Sequence, residues 1–261
     1  MVSKTLQLLS LLPRNPVEFC ERIAAGLEVR ALPACSVAYK ITPNEKALSE
    51  LSKILGAALN EKLQETELAR IEAWVKQAEP TLTTDAPFSP LHNGGSLLAR
   101  LSYAIARVLR PQILIESGVC YGVTSAHLLQ ALRVNALGHL HSIDLPPLGK
   151  NADAYVGTLV PAELRTRWTL HRGTTKRRLR PLLDSLPALD LFLHDSLHTY
   201  QNMRMEFSSV WPKLRSGGVV IADDVEGNAA FYELAQLRDT SVALVLRENG
   251  KDSYLGIVVK R

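Results

Sequence analysis

Apolar positions along the chain follow two different periods. Up to residue 80 they recur at helical spacing. Pro16 stands at a first helical position, and Phe19 and Ile23 lie four apart on one face. From about Asn44 to Ala78 the pattern predicts one long helix. Leu48, Leu51, Leu55, Leu59, Leu63 and Leu68 form its stripe, and Pro80 with the polar stretch 81–87 ends it. Such a stripe suits a core-facing helix pair or a homodimer contact.

From residue 94 the pattern alternates. An amphipathic helix over 94–110 leads into a short apolar strand over 113–118. Helix 123–134, strand 139–145, strand 168–173, a basic helix 174–186 and strand 189–195 follow. Helix 200–214, strand 218–225 and helix 228–237 come next. Two last strands, 242–247 and 254–260, flank Asn249-Gly250, a strong hairpin signal. Strands separated by helices imply right-handed crossovers and a parallel sheet covered on both faces. The terminal hairpin has no crossover helix, so it must add an antiparallel strand. The fold class expected is α/β, a Rossmann-like, mostly parallel seven-stranded sheet with an antiparallel C-terminal strand. A helical extension over 1–90, expected to shape the pocket for a substrate, precedes the ligand-binding sheet domain over 91–261.

Composition narrows this little. Of 261 residues, 46% are hydrophobic and 21% charged, which excludes disordered and collagen-like chains. A net charge of +4 is too small to argue for a nucleic-acid partner. The basic run Arg165, Arg167, Arg172, Lys176, Arg177, Arg178 and Arg180 has no aromatic residues interleaved for base stacking, and reads as a solvated face. Three cysteines without C-x-x-C spacing argue against a disulfide framework or zinc site. The apolar run of Met1–Leu12 is broken by Gln7 and Ser10 and lacks a cleavage site. A cytoplasmic protein is expected, with no membrane or nucleic-acid partner.

In open α/β sheets, ligands sit beyond the carboxyl ends of the strands. The first strand ends in Glu116-x-Gly118-x-x-x-Gly122, which is not the G-x-G-x-x-G of a pyrophosphate cradle. Asp144 ends the second strand, where a carboxylate can accept both hydrogen bonds of a ribose diol. Thr124 and Ser125 start the following helix, well placed for an anionic group, and His92-Asn-Gly-Gly95 is a second candidate for it. The fourth strand ends in Asp195-x-x-His198-x-Tyr200 and the fifth in Asp223-Asp224. Three carboxylates converging in one crevice repel unless protonated, hydrogen-bonded or bound to a hard cation such as Mg²⁺. Histidine is the side chain suited to proton transfer at neutral pH, so His198 is the natural general base.

These motifs, with Trp211-Pro-Lys-Leu-Arg-Ser-Gly217-Gly218, resemble class I S-adenosylmethionine-dependent methyltransferases. The similarity runs from His92 to Phe231 and is to the family that includes macrolide-sugar O-methyltransferases and cephalosporin-hydroxylase-like proteins. The resemblance implies S-adenosyl-L-methionine as cofactor, held by Glu116, Gly118, Tyr121, Gly122, Thr124, Ser125, Asp144, Gly173 and Asp195. It implies Mg²⁺ on Asp195, Asp223 and Asp224, with His198 and Asp195 in the chemistry. Leu197 stands where many relatives have an acid, and Asp223-Asp224 where some metal-binding relatives have Glu-Asp. The function expected is O-methylation of a small-molecule hydroxyl on a natural-product or sugar scaffold. N-methylation on the same fold and non-catalytic cofactor binding are the alternatives.

Overall fold

The computed structural model describes residues 4–31, 37–82, 87–88, 95–149, 151–250 and 252–261. The helices ahead of the sheet are α1 (Lys4–Leu11), α2 (Pro16–Ala31), α3 (Asn44–Leu55), α4 (Leu59–Lys62) and α5 (Thr66–Ala78). The single helix expected from Asn44 to Ala78 is therefore three. Gly56, at φ +73°, closes α3 in a left-handed conformation that costs glycine little. The Ser52 hydroxyl then accepts the Leu59 N–H at 3.0 Å, where α4 starts. The fold-back spends the leucine stripe inside this chain: Leu51, Leu59 and Leu68 are fully or almost fully buried.

The seven strands are β1 (Ile113–Ser117), β2 (His139–Asp144), β3 (Trp168–Arg172), β4 (Leu189–His194), β5 (Leu214–Ala222), β6 (Thr240–Arg247) and β7 (Tyr254–Lys260). Their order is β3-β2-β1-β4-β5-β7-β6. β1 pairs in parallel with β2 and β4, β2 with β3, and β4 with β5. β7 runs antiparallel to both neighbours, β5 and β6, as the missing crossover requires.

Alternate strand residues feed two apolar layers. Leu114, Leu140, Leu191, Val219 and Ile257 pack beneath α6 (Ser96–Leu109), α7 (Val123–Asn135) and the α3–α5 group. Ile115, Ile143, Phe192, Val220 and Val258 pack against α9 (Thr175–Ser185), α10 (Tyr200–Val210) and α11 (Ala230–Ala235); α8 (Ala152–Tyr155) lies between β2 and β3 in sequence. Burial on both faces explains why the central strands read as continuous apolar runs. The extension is tied to the sheet layer by charge as well. Glu65 accepts from the Tyr103 hydroxyl at 2.6 Å and from Arg107 Nε at 2.7 Å. At the far end, Glu248 of the β6–β7 turn accepts the N–H groups of Leu97 and Leu98 at 2.8 and 3.0 Å, capping α6. Among the described residues no helix is long and apolar enough to cross a membrane.

Candidate active site

The loop leaving β1 takes three left-handed turns in five residues, at Gly118 (φ +85°), Cys120 (φ +52°) and Gly122 (φ +91°). A side chain at Gly118 would run into the backbone carbonyl of Asp195, and one at Gly122 into Val160 and Gly157. Both glycines are therefore demanded by close approach as well as by φ. The folded loop turns two N–H groups, those of Val119 and Cys120, onto Asp144 Oδ2 at 2.7 and 3.1 Å. Burial raises the pKa of Asp144 above its ordinary value, and these two bonds pull against that rise. Beneath the loop, Glu116 is wholly buried and accepts the hydroxyls of Ser125 and Ser142, each at 2.6 Å. Burial pushes its pKa up to about 7 against those two bonds, with Asp144 adding to the rise.

A cavity of about 1000 Å³ opens over the carboxyl ends of the strands. Gly118, Asp144 and Gly173 line one side. Asp195, His198, Asp223 and Asp224 line the other. Glu116, Tyr121, Gly122, Thr124 and Ser125, also expected to hold the cofactor, stand outside this lining. Glu116 is the buried brace just described. Ser125 is spent on that brace, and the Tyr121 hydroxyl donates to the Phe88 carbonyl at 2.6 Å. Thr124 is buried in the first turn of α7, while Gly122 packs against the 157–160 turn. Of the 92–95 stretch, residues 92–94 lie outside the described residues, and Gly95 sits against the Glu248 side chain at the start of α6.

On the acidic side His198 lies between two carboxylates. Its Nδ1 is 3.0 Å from Asp224 Oδ2, and its Nε2 is 3.7 Å from Asp195 Oδ1. A carboxylate only accepts, so the Asp224 contact favours the tautomer with its hydrogen on Nδ1. Nε2 is shielded from solvent and has no hydrogen-bond partner among the described residues. Asp224 stands just beyond β5 at φ +49°, a left-handed conformation that aspartate tolerates better than most residues. Asp195, Asp223 and Asp224 share the cavity wall. Yet among the described residues no group of three or more His, Cys, Asp or Glu side chains is arranged to hold a metal ion.

The N-terminal extension, expected to shape the acceptor pocket, supplies part of the cavity wall. Lys4 and Leu8 of α1, with Glu21, Arg22 and Ala25 of α2, line the cavity. α2 is fastened on both banks. On one, Arg22 donates to the Pro146 carbonyl and Arg172 to Glu18, both at 2.7 Å. On the other, Glu28 accepts the Thr199 hydroxyl and the Asn202 N–H, the latter at 3.2 Å. The basic run around β3 is partly occupied internally. Arg165 donates to the Gly157 carbonyl, Arg167 to that of Gly138 and Arg178 to that of Arg172.

Residues 115–225 match the model of a methyltransferase domain family. No curated protein sequence matches the chain. Among solved structures, the chain is similar to an O-methyltransferase from Bacillus cereus in complex with SAH, with a TM-score of 0.52 and 17% identity over 82% of this chain and 97% of that one. It is also similar to the O-methyltransferase TomG from Streptomyces achromogenes, involved in tomaymycin synthesis and solved with SAM (TM-score 0.53, 17% identity, 76% and 91% covered). A third is a SAH-bound methyltransferase from Podospora anserina, with a TM-score of 0.53 and 13% identity over 86% of this chain and 100% of that one. Sheet order, the reversed last strand and the loop after β1 agree with the methyltransferase-domain match over residues 115–225, and the chain has the Rossmann-like fold of class I methyltransferases.

Proposed function

We propose that the protein transfers the methyl group of S-adenosylmethionine to a hydroxyl of a small-molecule acceptor, with His198 as general base. The observation that carries this reading is the pairing of His198 with Asp224, which leaves Nε2 shielded, 3.7 Å from Asp195 and without a hydrogen bond among the described residues, at the wall of the cavity. A buried nitrogen without a partner calls for a ligand. The structural relatives named above as O-methyltransferases support an oxygen acceptor.

When bound, S-adenosylmethionine supplies a methyl group activated on a positively charged sulfur. The protein's own residues have three tasks. Asp144, with Oδ2 held by the loop, offers its other oxygen to the ribose hydroxyls. Gly118 and Gly173 allow ligand atoms close to the backbone. His198 takes the acceptor proton at Nε2, and Asp224, 3.0 Å from Nδ1, stabilises the imidazolium that results. A cavity of about 1000 Å³ lies at the upper end of the range for small-molecule sites, which suits a cofactor together with a sizeable acceptor such as a sugar-bearing natural product.

The carboxylates expected to share Mg²⁺ do not fit an ion as they stand, because the imidazole of His198 occupies the space between Asp195 and Asp224. Turnover of a hydroxylated acceptor should persist in excess chelator, while His198→Ala should lower kcat by about 10²–10⁴-fold with S-adenosylhomocysteine affinity nearly unchanged. Loss of turnover on chelation, restored by Mg²⁺, would show that Asp195 and Asp224 part from His198 to take the ion. Full activity of the His198 variant would remove the base.

A further inference from the structure

Behind His198 lies a buried charge network that proton transfer itself does not use. Glu206 sits on the apolar face of α10 with Met203, Phe207 and Val210. It is wholly inaccessible, as is His194 at the end of β4. Four donors converge on the carboxylate. Oε2 accepts from His194 Nδ1 at 2.7 Å and from the Ser117 hydroxyl at 2.8 Å. Oε1 accepts from the Ser196 hydroxyl at 3.0 Å and from the Asn202 amide at 2.9 Å. A buried ion is tolerated only when such partners replace its hydration. Burial acts to raise the Glu206 pKa, but the His194 charge and the hydrogen bonds outweigh it, so the group is held below the usual carboxylate range.

The two carboxylate oxygens serve different parts of the site. Ser117 and His194 are the last residues of β1 and β4, the fixed floor. Ser196 and Asn202 control the turn that carries the chemistry. Ser196 follows Asp195 directly, and the Asn202 amide also donates to the Leu197 carbonyl at 3.0 Å. The turn is completed by Asn228, whose amide donates to the His198 carbonyl at 3.3 Å. The His194 and His198 rings meet edge to face, with centroids 5.2 Å apart.

We propose that Glu206 is the positioning residue of this active site, clamping the Asp195–His198 turn to the ends of β1 and β4 so that His198 stands within hydrogen-bond reach of Asp224. A glutamine cannot do the same work. One of its two termini is itself a donor, so either the strand pair or the turn pair faces an N–H. The proposal rests on the reading of His198 as base, and its test separates the two.

The full-length protein, labelled with ¹⁵N at histidine, is examined by long-range imidazole NMR with and without S-adenosylhomocysteine. In the wild type, His198 should show a protonated Nδ1 held to Asp224. In Glu206→Gln that signature should be lost or averaged, while S-adenosylhomocysteine affinity changes less than threefold, because Asp144 and its loop are untouched. Ser196→Ala, which removes only the turn-side bond, should move the signal in the same direction, and Ser196→Thr should restore it. If Glu206→Gln fails to fold, the Ser196 pair decides alone. A wild-type His198 signal in folded Glu206→Gln, or in Ser196→Ala, overturns the proposal. Failure of the wild type to bind S-adenosylhomocysteine would overturn the reading of the cavity, while the NMR comparison still reports on Glu206.

Discussion

Gly118 and Glu116 show how differently two residues of one motif act. Gly118 is fixed by space. Any Cβ would meet the Asp195 carbonyl, so Gly118→Val should abolish S-adenosylhomocysteine binding by calorimetry while circular dichroism still reports a mixed helix–sheet protein. Normal affinity in that variant would detach the loop from the site. Glu116 is fixed by charge cost. Its folded pKa, about 7, lies above its ordinary 4.5, so between these values the folded state binds the proton that the unfolded chain has released. Its contribution is complete below about pH 4.5 and is lost as pH rises through 7, at about 1.4 kcal/mol per pKa unit. Glu116→Gln should therefore raise Tm more at pH 8 than at pH 5. An equal shift at both values would show that burial of the charge is not what Glu116 resists.

At the scale of elements, the β2–β3 strand pair carries the opposite pH response. His139 and His141 of β2 and His171 of β3 gather on one face, with His141 Nδ1 3.2 Å from His171 Nε2. Burial lowers all three, and with its two histidine neighbours it takes His141 down to about 4. The folded state therefore favours neutral rings, and stability falls as pH drops from 6.5 towards 4. His141→Phe should flatten that limb of the Tm–pH curve; an unchanged limb would place the acid sensitivity elsewhere. Elements of this kind were legible in the sequence where periodicity was long and unbroken, as in β1 to β5 and their helices. The 44–78 segment was not, since helical spacing continues across Gly56 and carries no sign of a reversal. The site was legible in part. Asp144, Asp195 and His198 stand at strand ends, where topology alone aims them at the crevice. Residue type cannot tell a cavity wall from a buried brace, so nothing in the sequence marked Glu116 and Ser125 as bonded to each other beneath the loop. Glu206 left a signal that went unread: a carboxylate on the apolar stripe of an amphipathic helix needs a buried partner, and His194 closes an otherwise apolar strand.

Across the whole molecule, α2 joins both banks of the cavity through Glu18 and Glu28. Glu18 is held by two arginines, so Glu18→Ala should lower stability by about 1.5–3 kcal/mol and speed release of S-adenosylhomocysteine in stopped-flow measurements. An unchanged release rate would show that ligand exchange does not pass beneath α2. The sheet order has a consequence of another kind, for biosynthesis. β7 is the last strand in sequence, yet it lies in the interior of the sheet between β5 and β6. While it is still inside the ribosome, β5 has an open apolar flank and β6 has nothing to pair with. The sheet therefore cannot close until β7 has emerged, and until then the nascent chain exposes a strand edge of the kind that chaperones cover. Ribosomes stalled at residue 253 should hold this chain in a protease-sensitive state, although every strand that builds the cofactor crevice has already been made.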